Sequence, residues 1–361
     1  MLPLKRFSAL ALVALMLPGT GCNQDIKSRA ERGNAKAQYQ LGYRYHTGQM
    51  VTKDQAEAVK WFRKAAEQGD REAQYSLGLA LLNGEGVPVN KTEAAKWFRS
   101  AADRGDSAAQ YALGTIYLGG MDGPPNPTEA LKWIRTAAER GESDAQVFLG
   151  QTYASGTLVP ADATEAFKWF KKAAASGDAG GQYQLGLCYR DGRGVEVDPK
   201  QAVKWLRMAA EDDDAAAKYD LGFCYYEGIG VASNKATAVT WFRKAAEEGE
   251  ARAQFQLGAM YDNGDGLPKN FEEALKWYRK AADNDDEDAL VLLGRMYQKG
   301  EGVPVDLVES YKYFTLAVDA GKKAAGLAQA GVAQKLTPDQ LVEARRRVEG
   351  ARRQRAQKPP E

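Results

Sequence analysis

Hydrophobic and polar positions along this chain repeat every 36 residues from Gly33 to Ala320. Ala37, Leu41 and Tyr45 are spaced i, i+4, i+8, which places them on one face of a helix, helix A of the first unit. The same apolar positions return in each of the eight units. A Leu stands 20 residues before an aromatic residue in each, from Leu41 to Leu293, and a Gly follows it, from Gly42 to Gly294. The aromatic marker is Trp61, Trp97, Trp133, Trp169, Trp205, Trp241 and Trp277, then Tyr313. It lies in a second amphipathic stretch, helix B, where Ala58, Trp61, Phe62, Ala65 and Ala66 form the apolar side and Lys60 and Arg63 the polar one. The pattern places each indole in the buried seam of helix B.

Stop and start signals divide the unit. Helix A ends at a Gly 13 before each marker, from Gly48 to Gly300, where the left-handed conformation costs least. Helix B starts at an Asp or Asn seven before it: Asp54, Asn90, Asn126, Asp162, Asp198, Asn234, Asn270 and Asp306. Glu or Gln follows three residues later in all but one unit, where Thr237 departs, so reciprocal capping boxes are expected. Gly69 and its equivalents stop helix B; Asp213 and Asp285 replace that Gly in two units, predicting a slightly strained turn without a break. Each hairpin leaves too much apolar surface to bury alone, so neighbours must stack.

The run Ala-Gln-Tyr-x-Leu-Gly, then Gly-x-Gly-Val, then Asp/Asn-x-x-x-Ala-x-x-Trp-Phe-x-Lys-Ala-Ala-x-x-Gly resembles the Sel1-like repeat family, relatives of the tetratricopeptide repeats, over about four-fifths of the chain. The resemblance implies an all-α fold, a right-handed α/α superhelical solenoid of eight 36-residue repeats. It also implies a non-catalytic scaffold that binds partner proteins in a concave groove. Unit three departs at Met121-Asp122-Gly123-Pro124-Pro125, and unit eight at Tyr313-Phe314-Thr315-Leu316-Ala317-Val318, as a terminal cap would.

The ends carry different information. Lys5 and Arg6 precede an apolar run, Phe7 to Leu17, too short to span a bilayer, so residues 1–21 read as a signal peptide. The Gly21-Cys22 junction resembles a bacterial lipobox, with Gly19 where Leu is usual; ordinary cleavage is the alternative. Lipidation at Cys22, followed by Asn23, would favour the periplasmic side of the outer membrane, and processing would take the formal charge from +1 to −1. Residues 22–32 then read as a linker, 33–320 as the eight repeats, 321–356 as capping helices with a basic tail and 357–361 as a disordered end. A capping box, Thr337-Pro338-Asp339-Gln340, opens the last helix. Its Arg345, Arg346, Arg347, Arg352, Arg353 and Arg355 are expected to be solvated at the favourable end of the dipole; an anionic lipid or glycan is the alternative partner.

Catalytic chemistry is scarce. A single His, His46, excludes schemes that need two imidazoles, and its place at the end of helix A suits a solvated or partner-facing side chain. Some cysteine-rich relatives are linked to β-lactam binding, but Ser-x-x-Lys, Ser-Asp-Asn and Lys-Thr-Gly are absent, as are Walker and Rossmann glycine patterns. No catalytic, cofactor or metal residue is therefore assigned; the acidic run Asp283, Asp285, Asp286, Glu287, Asp288 lacks calcium-loop spacing. Cys188 and Cys224 occupy equivalent positions in neighbouring units, ~8–10 Å apart for packed helices and beyond the ~7 Å reach of a disulfide, so both are expected free.

Partner contacts are expected on the helix A stripe at 22, 18 and 15 before the marker, where the last two positions vary between units. Arg190, Phe223 and Tyr226 lead the candidates, with Tyr43, Leu79 and Leu187 beside them, because aromatics next to Arg dominate protein hot spots. Tyr183 and Tyr219 are expected to pack between helices. The second function class is a peptidoglycan or polysaccharide binder; the secretory signal and near-neutral charge argue against nucleic acid.

Overall fold

A computed structural model of the chain describes residues 20–120 and 124–357. Residues 1–19, which belong to the stretch read as a signal peptide, the loop 121–123 of the third repeat and residues 358–361 lie outside the described residues, as do the side chains of residues 20–24. Among the described residues all regular elements are helices, grouped in two compact units divided between Ala161 and Asp162. The first unit contains α1 (Thr20–Glu31), α2 (Ala35–Thr47), α3 (Gln55–Glu67), α4 (Arg71–Asn83), α5 (Lys91–Ala102), α6 (Ser107–Gly119), α7 (Pro127–Glu139) and α8 (Ser143–Ser155). The second contains α9 (Ala163–Ala175), α10 (Ala179–Asp191), α11 (Pro199–Glu211), α12 (Ala215–Glu227), α13 (Lys235–Glu247), α14 (Ala251–Asn263), α15 (Phe271–Asp283), α16 (Glu287–Lys299), α17 (Leu307–Asp319), α18 (Ala325–Ala333) and α19 (Pro338–Ala356). Within each unit successive helices pack on one another as a stack of hairpins, except that the last helix, α19, packs on α17.

The caps explain where the helices begin. All eight B helices start at the Asp or Asn expected, each accepting a hydrogen bond from an amide in the first turn. The reciprocal half of the box does not form there, and at seven of the eight the cap's own amide is already used. Asp54 N–H donates to the Tyr45 carbonyl at 2.9 Å, Asn90 to Leu81 at 2.8 Å and Asn234 to Tyr225 at 2.8 Å, closing the A–B loop against helix A. The N3 carboxylates are released to other partners: Glu93 accepts from Arg63 at 2.6 Å. Thr337 and Gln340 do form the full box at α19. Asp213 and Asp285 adopt φ of 64° and 63° without interrupting the array, as expected of Asp in a glycine position.

The seam is shifted by one residue from the sequence expectation. Trp169 and Trp277 are buried, whereas Trp61, Trp97, Trp133, Trp205 and Trp241 are half-buried. The buried column is the next residue, Phe62, Phe98, Ile134, Phe170, Leu206, Phe242, Tyr278 and Phe314. Its cause is the Gly after the Leu of helix A: a Cβ added to Gly78 would lie 2.6 Å from Phe98, and one added to Gly258 would lie 2.7 Å from Tyr278. Only glycine lets the two helices close on that side chain. The indoles sit beside this contact with cations over their faces, Lys64 at 4.3 Å from Trp61 and Lys172 at 3.9 Å from Trp169.

Both ends also differ from expectation. The stretch read as a linker is α1, whose Ile26 and Ala30 pack on Ala37 and Leu41. Ile26, Ala30 and Gly33 precede Phe62, Ala66 and Gly69 by one period, so α1 is the B helix of an incomplete repeat. The Gln38 amide donates to the Ala30 carbonyl at 3.1 Å just as Gln74 donates to Ala66 at 3.2 Å. At the other end Arg345, Arg346 and Arg353 are exposed as expected, but three arginines of α19 reach other helices. Arg347 bonds Glu309 at 2.7 Å, Arg352 forks onto Asp319 at 2.8 and 2.9 Å, and Arg355 donates to the Ala282 carbonyl at 3.1 Å. Arg346 and Arg347 hold the Glu343 carboxyl down at about 2. These contacts clamp α19 to α17 and α15 because their carboxylates and carbonyl face it, which solvation alone would not achieve. The acidic run is likewise occupied: Asp286 caps α16, and Glu287 and Asp288 pair with Lys322 at 3.2 and 2.9 Å.

Cys188 and Cys224 are buried and free, and burial pushes each thiol up to about 11. In a Cys22→Ser variant, we expect no rapid reaction of either thiol with an aromatic disulfide reagent at pH 8 and full reaction of both in denaturant. Rapid native labelling would contradict their burial. Truncating Phe98 to Ala is expected to cost about 3–5 kcal/mol, and Trp97→Ala clearly less, measured by urea unfolding; the reverse order would restore the indole to the seam.

Candidate partner-binding face

The A helices bring the stripe positions to one side of each unit, and the variable residues differ in how they are held. Leu79 and Leu187 are buried, at 6% and 9% exposure, and belong to the core. This corrects their assignment as contact residues: a Leu at that position reaches into the layer that the larger Tyr43 and Phe223 only partly enter. Tyr43 is half-buried, with its ring 6.5 Å from that of Tyr39. Phe223 and Tyr226 on α12 are half-buried and rest on the cluster around Val239, Phe242 and Leu257. Tyr219 packs behind them on Phe242, ring centroids 5.5 Å apart and tilted by 46°, in the packing role expected of it.

Arg190 is fixed before any partner arrives. It donates to Asp191 at 2.7 Å and to Asp220 at 2.6 Å, and the Tyr183 hydroxyl donates to the other Asp220 oxygen at 2.9 Å. Burial beside Asp220 carries the Tyr183 hydroxyl up to about 12, and Asp191 raises the Arg190 guanidinium above its ordinary value. Tyr226 is held the same way: its hydroxyl donates to Asp265 at 2.6 Å, which raises it, and Lys235 pairs with that carboxylate at 2.7 Å and keeps it low. The face therefore presents rings and aliphatic stems of fixed orientation. Such a surface suits an extended chain or loop laid across α10 and α12.

Sequence reasoning missed Asp220, Arg252 and Asp265. Arg252 on α14 lies over the Tyr219 ring at 4.4 Å and pairs with Glu250 at 2.6 Å. The signal was present in columns outside the stripe: Asp220 stands at the open position of the motif, where Gln40 and Gln184 stand in other units, and Lys218 stands in the fixed column of Gln38 and Gln74. Lys218, almost fully buried, pairs with Asp213 at 2.9 Å and with Glu248. Gln38 and Gln68 make the equivalent neutral link at 2.6 Å. His46, expected to be solvated or partner-facing, is half-buried, its Nδ1 2.9 Å from the Gln55 amide oxygen and 3.7 Å from the Glu85 carboxylate.

The Sel1 repeat model matches this chain eight times in succession, at residues 35–70, 71–106, 107–142, 143–178, 179–214, 215–250, 251–286 and 287–322. A Sel1 repeat protein of known structure from Oxalobacter formigenes is 32% identical, with a TM-score of 0.65 over 89% of this chain and 93% of its own. A protective antigen of uropathogenic Escherichia coli with an SLR fold is 28% identical, with a TM-score of 0.55 over 94% and 98%. The secretory immunoglobulin A-binding protein EsiB of Escherichia coli O6:H1 is 49% identical over 55 residues, which is 15% of this chain and only 11% of that relative. Proteins built from this repeat are generally protein-interaction scaffolds and not enzymes. With the model matched over about four-fifths of its length, this chain belongs to the Sel1 repeat family.

Proposed function

We propose that this protein is a non-catalytic adaptor on the periplasmic side of a bacterial envelope, anchored through an acylated Cys22 and binding partner proteins across the variable face of α10 and α12. The observation that carries the reading is the state of Arg190, Phe223 and Tyr226. They are half-exposed at positions that vary between repeats, and hydrogen bonds or packing hold each in one orientation. A rigid aromatic and Arg patch loses little entropy on binding, so it favours a protein partner. Tyr43 belongs to the same class of position in the first unit. Two similar proteins named for antigenicity and for immunoglobulin A binding support an envelope setting. Among the described residues no helix is long and apolar enough to cross a membrane, so membrane attachment in this reading falls to Cys22.

Affinity capture from envelope extracts should lose its principal partner on Phe223→Ala combined with Tyr226→Ala, with helical content unchanged by circular dichroism; an unchanged partner list would refute the placement. Labelled palmitate should enter the wild-type protein and not Cys22→Ser. Incorporation by both would remove the anchor from the reading.

A further inference from the structure

The first repeat breaks a rule that the A–B loop keeps elsewhere. Gly86, Gly194, Gly230, Gly266 and Gly302 occupy one column of that loop, all with positive φ and all against the start of the preceding B helix. A Cβ on Gly86 would stand 2.7 Å from the Ala56 amide nitrogen in the first turn of α3. The first repeat places Met50 in this column, still at φ 62°. Asp213 and Asp285 are the other described residues besides glycine with positive φ, and Asp tolerates that conformation far better than Met. Met50 is nevertheless 47% exposed, so packing alone does not account for the strain.

The period shows what stands beside Met50. One repeat before Ala56 is Thr20, the first residue of α1, and one repeat before Ala58 is Cys22, in the first turn of that helix. In an acylated chain, processing has removed residues 1–21, and with them the backbone that would meet a Cβ at Met50. Cys22 is then the N-terminus at that place. No flexible tether separates it from the array: Ile26, about one helical turn further on, and Ala30 pack on Ala37 and Leu41. A lipid surface that holds Cys22 is therefore brought to the edge of the first unit where the A–B loops lie.

That edge carries the exposed apolar side chains. Met50 and Val89, 47% and 58% exposed, are the large exposed hydrophobics among the described residues of the first unit, and both lie in A–B loops. Exposed Lys53 and Lys91 flank them. The opposite edge, where helix B turns into the next helix A, presents the exposed polar pairs Glu67-Gln68, Asp103-Arg104 and Glu139-Arg140.

We propose that the A–B loop edge of the first two repeats rests on the lipid surface that holds Cys22, with Met50 and Val89 entering the headgroup layer and Lys53 and Lys91 meeting lipid phosphates. The inference rests on the acylated Cys22 of the proposed function and adds the orientation of the first unit on the membrane. Two apolar side chains and two cations hold little by themselves; the acyl anchor keeps them at the surface, where each contact becomes intramolecular in effect. A glycine in place of Met50 would remove the strain and have no side chain to offer the lipid.

The test uses full-length acylated protein in vesicles of phosphatidylethanolamine and phosphatidylglycerol. Acylation blocks Cys22 and burial protects Cys188 and Cys224, so Met50→Cys, Val89→Cys and Glu67→Cys each offer a single thiol to a nitrobenzoxadiazole probe. Lipids spin-labelled next to the headgroup should quench the probe on Met50→Cys and Val89→Cys and leave that on Glu67→Cys unquenched. Met50→Gly should leave the urea midpoint no lower, because it relieves the positive φ; a marked drop would make Met50 a packing residue and overturn its place in the lipid. Equal quenching of all three probes would overturn the orientation, as would no quenching on Met50→Cys and Val89→Cys in protein that mass spectrometry shows to be acylated, and either result would leave the anchor standing. A Cys22 without acyl chains would remove the anchor and this inference together, while partner capture through Phe223 and Tyr226 is read independently of both.

Discussion

Helix A and helix B of each hairpin meet at a glycine, and the rest of the array depends on that approach. Gly42, Gly78, Gly222, Gly258 and Gly294 each lie against an aromatic ring, and a Cβ would meet it at 2.6 to 2.9 Å. Gly114 and Gly186 face Ile134 and Leu206 in the same way. The missing side chain fixes the depth to which the next residue of helix B can enter. That depth brings the Ala pairs of helix B within reach of the following helix A, and it turns the adjacent Trp towards the edge of the seam. Glycine in a helix interior costs about 1 kcal/mol relative to Ala. Burial of the facing ring outweighs this cost, which accounts for the Gly in all eight units.

The hairpins, their caps and their stops were legible because each leaves a residue type that recurs at a fixed spacing. The phase of the buried seam was not. Trp61 and Phe62 are neighbours on a helix, both large and apolar, and only the glycine opposite decides which one is enclosed. Period alone could not identify α1 either, because Asp25 stands where the marker Trp belongs; Ile26, Ala30 and Gly33 carried the signal at three weaker positions. Of the candidate site, the stripe was visible as a pattern of variation. That Leu79 and Leu187 point into the core was not, because variation in side-chain type does not reveal depth.

Much of the charge on the variable face is directed at neighbouring repeats. Arg190 meets Asp220 at 2.6 Å and Arg295 meets Asp262 at 2.7 Å between successive repeats, while Lys218 meets Glu248 within its own hairpin. Asp220, Asp262 and Lys218 are buried, so each would be costly without its partner. Otherwise similar hairpins thereby acquire a preferred neighbour. In an array whose units share nearly all their apolar positions, such pairs discriminate against stacking out of order more than they add to net stability.

The same bookkeeping separates the two units chemically. In the second, Arg190, Arg252 and Arg295 supply the counter-charges of the face from within, and its rings and stems are left to make contact by shape. In the first, Asp144 stands in the column of Arg252, Ser107 donates to Glu142, and the Tyr111 ring packs edge-on against Phe148. Repetition supplies the same backbone twice, and a change of sign at one column changes what packs on the same tyrosine. Repeats that share their apolar positions therefore differ through the contacts made at a few polar columns.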